Sequence, residues 1–168
     1  MKFSIENSIQ FARAVGEASR DDVREAVSNV YRALQDAIDL REPICVSSGR
    51  CCRFEEYGHR LFVTTMEVAA FVSQIDRPLR PADWDGTGCP FQLNRLCDVH
   101  KIRPFGCRVF FCDETSTQWQ AEQYERLHRE LKRLHEELNV PYFYVEWREA
   151  LAAVDINHHG SECVPPVE

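Results

Sequence analysis

The distribution of cysteine is the feature of this sequence that most constrains its fold. Seven of the eight cysteines lie within residues 45–112 of the 168-residue chain, and the eighth, Cys163, lies near the C-terminus. The seven are Cys45, Cys51, Cys52, Cys89, Cys97, Cys107 and Cys112. The N-terminal sequence lacks a basic stretch followed by an apolar run, so we expect a cytoplasmic protein whose thiols stay reduced. Metal binding or thiol chemistry then explains the cysteines better than disulfide bonds do.

The spacing of these cysteines differs from that of common zinc and redox motifs. The pattern is Cys45-x5-Cys51-Cys52 and, after a long gap, Cys89-x7-Cys97-x9-Cys107-x4-Cys112. It contains no pair of cysteines separated by two residues, the arrangement typical of zinc ribbons and thioredoxins. Turn-forming residues nevertheless adjoin the thiols, as in Gly88-Cys89-Pro90 and Gly106-Cys107. Such turns can direct backbone N–H groups at sulfur and stabilise a thiolate, which favours a metal site.

The charge distribution indicates an anionic centre in the same segment. Residues 45–112 contain nine Lys and Arg against seven Asp and Glu, whereas the whole chain carries a net charge of −7. Thiolates bound to a metal are anionic, and neighbouring positive charge also lowers thiol pKa values. We therefore predict that Arg50, Arg103 and Arg108 bind the cofactor, with Arg53 as a further positive charge. The alternative for each arginine is an ordinary solvated surface position.

Composition and motifs exclude several classes of function. An acidic chain lacks the basic face that nucleic acid requires, and no run approaches the roughly 18 apolar residues needed to cross a bilayer. We expect neither a nucleic-acid nor a membrane partner, while a protein partner and the oligomeric state stay open. The sequence contains no glycine-rich phosphate loop, nucleophile elbow or HExxH motif, so it predicts no particular reaction.

Hydrophobic periodicity predicts helices on both sides of the cysteine segment, within a single domain. Residues 1–44 predict two helices, the first over residues 5–17 and the second starting at a capping box formed by Ser19 and Asp22. Thr64 and Glu67 predict another capping box, before a short helix inside the cysteine segment. We therefore expect a mainly α fold: a helical scaffold around an irregular cysteine-rich metal-binding insert, with at most one short strand pair.

The C-terminal third of the chain carries the strongest helix pattern. Apolar residues at alternating steps of three and four predict a long helix over residues 116–140, followed by an extended segment and a last helix over residues 142–154. Residues 157–168 are expected to form a frayed tail. His128 and His135 lie two turns apart on the long helix, too far to share one ion, and are expected at its surface or partly buried.

Together these motifs resemble the YkgJ-type cysteine-cluster family, which is associated with zinc or iron chelation. The resemblance covers about residues 45–112. It rests on the following pieces: Cys45-x2-Ser48-x2-Cys51-Cys52, Val63-Thr64-Thr65-Met66-Glu67, Cys89-Pro90-Phe91, Cys97-x2-His100, Arg103-Pro104 and Cys107-Arg108. It implies a metal-binding protein, and it settles no reaction. Ser48 departs from the pattern, because the family has a cysteine there, and we conjecture that Cys112 returns beside the cluster to compensate.

We predict Cys51, Cys89, Cys97 and Cys107 as the principal metal ligands, followed by Cys52, Cys45 and Cys112. Four thiolates suit either a tetrahedral zinc ion or a [4Fe–4S] cluster, and spacing separates these poorly. The surplus of cysteine over histidine and the nearby arginines and phenylalanines favour iron–sulfur. Cys97-x2-His100 favours zinc, although His100 could simply form a hydrogen bond at a helix start.

Three functions follow from these residues. The first is a metal-binding protein in a structural, electron-transfer or accessory role. The second is a metalloenzyme with an open coordination position at the same site. The third is a metal-free thiol redox sensor that uses Cys51 with Cys52 or Cys107 with Cys112. Glu67 is expected to hydrogen-bond Arg103 or Arg108 and so hold the loop that bears the cysteines.

Overall fold

The computed structural model describes residues 3–45 and 47–160, and the mainly helical fold predicted from the sequence is confirmed. The α-helices are α1 (Ile5–Ala18), α2 (Asp21–Arg41), α3 (Phe54–Tyr57), α4 (Thr65–Val72), α5 (Phe105–Val109), α6 (Thr117–Glu137) and α7 (Trp147–Gly160). The strands are β1 (Phe62–Thr64), β2 (Gln92–Leu93), β3 (Leu96–Cys97) and β4 (Tyr144–Glu146). Two 3-10 turns span Arg50–Cys52 and Glu114–Ser116. Among the described helices, none has both the length and the apolar character that a membrane crossing needs.

The strands form two short antiparallel pairs. β1 pairs with β4, with Val63 opposite Val145, and both strands lead directly into helices. β2 and β3 form a hairpin with Gln92 opposite Cys97, inside the cysteine segment. The first pair joins the cysteine segment to the C-terminal region, and the second builds part of the thiol site.

Helix α4 lies at the centre of the fold. Seven of its eight residues are buried, and α1 and α2 both pack against it. An aromatic group made of Phe71, Phe91 and Trp147 joins α4, the cysteine segment and α7. The rings of Phe71 and Trp147 meet edge to face with their centroids 4.9 Å apart. Because large buried aromatic side chains dominate core energetics, the cysteine segment is anchored by the same core as the helices.

The two predicted capping boxes have different outcomes. Thr64 begins α4 as predicted, since its side chain accepts a hydrogen bond from the Glu67 N–H and the Glu67 carboxylate accepts one from the Thr64 N–H. The box predicted at Ser19 is wrong, because Ser19 ends α1 and its hydroxyl donates to the Val15 carbonyl. Helix α2 begins after Arg20, which provides no side-chain cap. Ser19 therefore ends α1 and does not begin α2.

The predicted long helix is α6, and it buries a histidine that was expected nearer the surface. His135 is only 2 % exposed. The chain leaves α6 through Asn139, whose φ of 51° is left-handed, and turns back over the helix. His135 Nδ1 then donates to the Val140 carbonyl oxygen at 3.1 Å. Burial lowers the pKa of His135, so this side chain belongs to the core.

The predicted strand and last helix at the C-terminal end correspond to β4 and α7. Helix α7 continues to Gly160, so it includes the first residues of the predicted tail. Cys163 and the rest of that tail lie outside the described residues.

Candidate functional site

The first two thiols of the site lie on a tight turn that begins at a left-handed glycine. Gly49 has a φ of 66°, and its carbonyl accepts hydrogen bonds from the Cys52 N–H at 3.1 Å and from Gln92 Nε2 at 3.0 Å. The first bond closes the turn that carries Cys51 and Cys52, and the second ties this turn to β2. A Cβ at Gly49 would lie 1.9 Å from the Arg95 carbonyl oxygen, so only glycine permits the approach.

Cys89 is joined to the same turn through the backbone. Its N–H donates to the Cys52 carbonyl oxygen at 2.8 Å. Gly88 makes this approach feasible, because its φ is 59° and a Cβ there would lie 2.7 Å from the Cys52 carbonyl oxygen. The Glu55 carboxylate accepts a hydrogen bond from the Gly88 N–H at 2.8 Å. Two segments distant in sequence are therefore held in contact at Cys52 and Cys89.

Cys97 reaches the site through the β2–β3 hairpin. It lies directly opposite Gln92, the residue that also contacts Gly49. The hairpin turns at Asn94 and Arg95, whose φ values of 50° and 67° are both left-handed, as in the tight turns that suit the twist of paired strands. Register and turn therefore place Cys97 close to the other thiols.

Cys107 approaches on α5, a helix that is held by a buried carboxylate. Glu67, only 1 % exposed, accepts a hydrogen bond from the Phe105 N–H at the start of α5, with a distance of 3.1 Å. The same carboxylate accepts hydrogen bonds from the Thr64 N–H at 3.0 Å and from the Thr64 hydroxyl at 3.1 Å. Glu67 thus couples the start of α4 to the start of the helix that carries Cys107.

The thiols of these segments lie close enough to interact electrostatically. The thiols of Cys51, Cys89 and Cys97 raise the pKa of Cys52. The neighbouring Cys52 thiol lowers the pKa of Cys51 to about 6 and also lowers that of Cys97, and the positive charge of Arg103 adds to both shifts. The cluster therefore favours thiolate at Cys51 and Cys97 while Cys52 keeps its proton.

Cys107 and Arg103 complete the electrostatic surroundings of the cluster. Burial raises the pKa of Cys107, and the negative charges of Cys89, Cys51 and Cys97 raise it further, which places Cys107 among the other thiols. Arg103 acts in the opposite direction, and its Nε is buried without a hydrogen-bond partner in the part of the chain that the structure describes. A buried donor without a partner costs about 1–3 kcal/mol. The Nε–H of Arg103 is therefore suited to an anionic acceptor at this site.

Cys112 and Cys45 have different surroundings. The Cys112 Sγ lies 3.1 Å from the Oγ of Ser48, the residue at which the family resemblance has a cysteine, and the role of Cys112 as a compensating ligand stays a prediction. Cys45 and His100 are both exposed, and their participation in a site stays a prediction.

The three arginines predicted to bind the cofactor also differ. Arg103 is the one whose charge acts on several thiols, as described above. Arg108 lies over the Tyr31 ring at 4.3 Å, and its charge interacts with Cys107. Arg50 is exposed and lies over the Tyr57 ring at 5.1 Å, so the contact that the structure gives it is aromatic rather than anionic.

Sequence reasoning missed how the site is held together. The expected hydrogen bond between Glu67 and Arg103 or Arg108 is wrong, because the Glu67 carboxylate accepts from the Phe105 N–H of α5 instead, while the charges of Glu67 and Arg108 do interact. The roles of Gly49 and Gln92 were not foreseen. A glycine two residues before a cysteine pair indicates a turn, but nothing in the local sequence indicates that Gln92 reaches it.

The arrangement of the clustered thiols differs from that of a metal site. In residues 3–45 and 47–160, no three His, Cys, Asp or Glu side chains are grouped so that they could hold a metal ion as they lie. To bind a shared metal, the sulfurs would have to move together, form metal–sulfur bonds and release their protons. Comparison of the chain with protein families, curated proteins and solved structures yields no match.

The buried Glu67 gives a prediction on pH dependence. Burial raises the pKa of this carboxyl from about 4.5 to about 7, although hydrogen bonds from Thr64 and Phe105 favour the charged form. Between these pH values the folded protein holds a proton that the unfolded chain has lost, so the free energy of unfolding falls as pH rises. Glu67→Gln cannot ionise and lacks this contribution. We expect the free energy of unfolding of the parent, relative to Glu67→Gln, to fall by roughly 3 kcal/mol from pH 4.5 to pH 7.5.

The free energy of unfolding of the parent and of Glu67→Gln is measured by urea titration at each pH, with circular dichroism as the signal. Taking the difference between the two proteins at each pH removes contributions from groups that they share. Parallel pH curves for the parent and Glu67→Gln would show that the carboxyl ionises normally in the folded state.

Proposed function

We propose that this protein binds a thiolate-ligated metal centre, either an iron–sulfur cluster or zinc, in a structural, electron-transfer or accessory role. The ligands would come from Cys51, Cys52, Cys89, Cys97 and Cys107. The observation that carries the proposal is the convergence of thiols from separate chain segments near Arg103, whose Nε–H has no hydrogen-bond partner within residues 3–45 and 47–160.

The chemistry of the donor set supports a soft metal. Thiolates are the preferred ligands of zinc and of iron–sulfur clusters, and four of them satisfy either centre. Without a metal, neighbouring thiolates repel each other, and at Cys107 the negative charges of Cys89, Cys51 and Cys97 add to burial in raising the pKa. A cation bound by these sulfurs would remove that repulsion. Arg103 would offset the remaining negative charge and donate its free Nε–H to a sulfur.

The sequence family that these motifs resemble is consistent with this proposal. The YkgJ-type resemblance rests on the same cysteines, and the position of Cys112 beside Ser48 supplies a thiol where the pattern lacks one. We further propose a cytoplasmic location, since a reducing compartment would keep the described cysteines available as the free thiols observed here.

Phenylalanines around the site support an iron–sulfur cluster over zinc. Phe91 and Phe105 are almost fully buried and lie two residues from Cys89 and Cys107 respectively. Apolar side chains close to a cluster limit water access, which protects the cluster and tunes its potential. Phe110 is 40 % exposed and therefore gives less protection than Phe91 and Phe105.

Elemental analysis and absorption spectroscopy of protein purified without oxygen test the proposal. We expect iron and sulfide in fixed ratio to protein, with visible sulfur-to-iron charge-transfer absorption that bleaches in air. Colourless protein with stoichiometric zinc would support the zinc form instead. Metal-free protein whose thiols oxidise reversibly to a disulfide would contradict the proposal and favour the redox sensor.

A further inference from the structure

A pocket opens beside two of the clustered thiols. It has a volume of about 420 Å³ and lies between β1, α5 and α6. Leu61, Gly106, Val109 and Ala121 give it a mainly apolar lining. This volume is within the range of sites that hold small organic molecules.

Aromatic rings form the walls of the pocket. His59 and Phe110 stack nearly parallel, at 11° and with centroids 6.1 Å apart, and both line the cavity. His59 Nε2 donates to the Cys51 carbonyl oxygen at 3.3 Å, so this wall is fixed to the turn that bears the thiol. Tyr124 of α6 and Phe62 of β1 contribute further rings. A flat aromatic molecule could therefore stack against a ring of the pocket.

The wall that contains Phe110 is also fixed to α6. The Gln120 side chain accepts a hydrogen bond from the Phe111 N–H at 3.2 Å and donates to the Phe111 carbonyl oxygen at 3.1 Å. Because both polar groups of this amide are used by the backbone, Gln120 holds the wall in place rather than offering polarity to an occupant.

The charged residues of the lining indicate an occupant without net charge. Arg60 and Glu125 are exposed, line the pocket and carry opposite charges. The half-buried Cys51 and Cys107 complete the lining and join the pocket to the thiol centre. An anion would approach both a carboxylate and thiol sulfur, whereas a neutral ring would pack against the apolar walls.

We propose that this pocket binds an uncharged aromatic molecule, with the ring in contact with the thiol centre at Cys51 and Cys107. The location of the occupant beside a metal centre rests on the proposed function, while binding in the pocket itself does not. The pocket offers a route by which a small molecule would reach the centre from solvent.

Isothermal titration of the purified protein with 2-naphthol and with 2-naphthoate tests the binding. We expect 2-naphthol to bind at one site and 2-naphthoate to bind about tenfold more weakly or worse. Ala121→Trp fills the pocket from an exposed position of α6 and is expected to weaken 2-naphthol binding by at least about tenfold. Ala33→Trp places the same side chain on an exposed position of α2, outside the pocket, and is expected to bind as the parent does.

Failure of 2-naphthol to bind, or equal binding by the parent and Ala121→Trp, would overturn the inference. A second experiment separates this result from the proposed function. Co²⁺ alone is added to metal-stripped protein, and thiolate-to-cobalt absorption is recorded with and without 2-naphthol. Bands that shift with 2-naphthol in the parent, but not in Ala121→Trp, support contact with the centre, and unshifted bands with 2-naphthol bound refute it. Absence of the bands counts against the metal centre only, and the titration still decides whether the pocket binds.

Discussion

Replacing Cys97 by serine is expected to abolish metal binding, whereas the same change at Cys45 leaves it intact. Interaction with the Cys52 thiol lowers the pKa of Cys97, so Cys97 favours the thiolate form that a metal requires. A serine hydroxyl is a poor ligand for zinc or for iron–sulfur clusters, which require thiolate. Changes to residues that merely support a ligand cost about 10–100-fold in metal affinity, so loss of the ligand itself should cost at least about 100-fold.

Cys45→Ser is the matched control for this experiment. The proposed ligand set leaves Cys45 out because its side chain is exposed, so removing its sulfur should change neither the cluster nor the core. Loss of metal in Cys45→Ser would restore Cys45 as the ligand that the sequence predicted. Metal content after gel filtration, together with the thermal unfolding midpoint, compares the two variants with the parent. We expect Cys97→Ser to be nearly metal-free and to unfold at a lower temperature, because metal bound only by the folded state stabilises it. Full metal content in Cys97→Ser would remove this cysteine from the ligand set.

The contrast between these two cysteines shows what sequence alone could provide. Clustering in the sequence predicted a common metal centre, and that centre stays a prediction, while Cys51, Cys89, Cys97 and Cys107 lie within reach of one another's charges. The sequence could not show that Cys45 is exposed and Cys97 is not, because the exposure of each side chain depends on where the chain turns. The turn at Gly49 and the hairpin between β2 and β3 decide this, through contacts between residues far apart in sequence.

The secondary structure was also only partly predictable from the sequence. Helices α1, α2 and α6 could be predicted, because a helix that packs on a core repeats its apolar residues with the helical period. The start of α4 could also be predicted, since Thr64 and Glu67 act within one turn. The β2–β3 pair could not, because strands of two residues are too short to show an alternating pattern.

Residues that can take more than one structural role are a further source of error in prediction from sequence. Ser19 matched the start of a helix, yet its hydroxyl ends the preceding helix by donating to Val15. Glu67 presented a different difficulty, since its capping role was visible in the sequence but its bond to Phe105 was not. The Glu67 carboxylate thus takes part in a capping box and in a contact between distant segments. Only the capping box can be recognised from the sequence.

Replacing Gly49 by alanine is expected to separate the Cys51–Cys52 turn from the hairpin and so disrupt the thiol site. The added methyl group would lie 1.9 Å from the Arg95 carbonyl oxygen and 2.8 Å from Gln92 Nε2. The first contact is with backbone, which cannot rotate away as the end of a side chain can. The turn must therefore move, and the left-handed φ of 66° adds about 1–2 kcal/mol of strain for alanine.

Gly58→Ala provides the matched control, because it shares the strain without the clash. Gly58 has a φ of 63°, close to that of Gly49, and an added Cβ there would meet nothing within 4 Å. Subtracting its effect from that of Gly49→Ala isolates the cost of separating the turn from the hairpin. We expect Gly58→Ala to lower the unfolding midpoint by a few degrees, since each kcal/mol corresponds to about 2–4 °C in a chain of this length.

Gly49→Ala should have a larger effect on both stability and metal content. Relieving the backbone clash is expected to cost about 1–3 kcal/mol beyond the strain, the range for an added group in a tightly packed site. The same movement would carry Cys51 and Cys52 away from Cys97, so metal bound per protein should fall in Gly49→Ala and not in Gly58→Ala. Thermal unfolding followed by circular dichroism and elemental analysis measures both effects. Equal behaviour of the two variants would mean that the contact between Gly49 and Arg95 does not hold the site together.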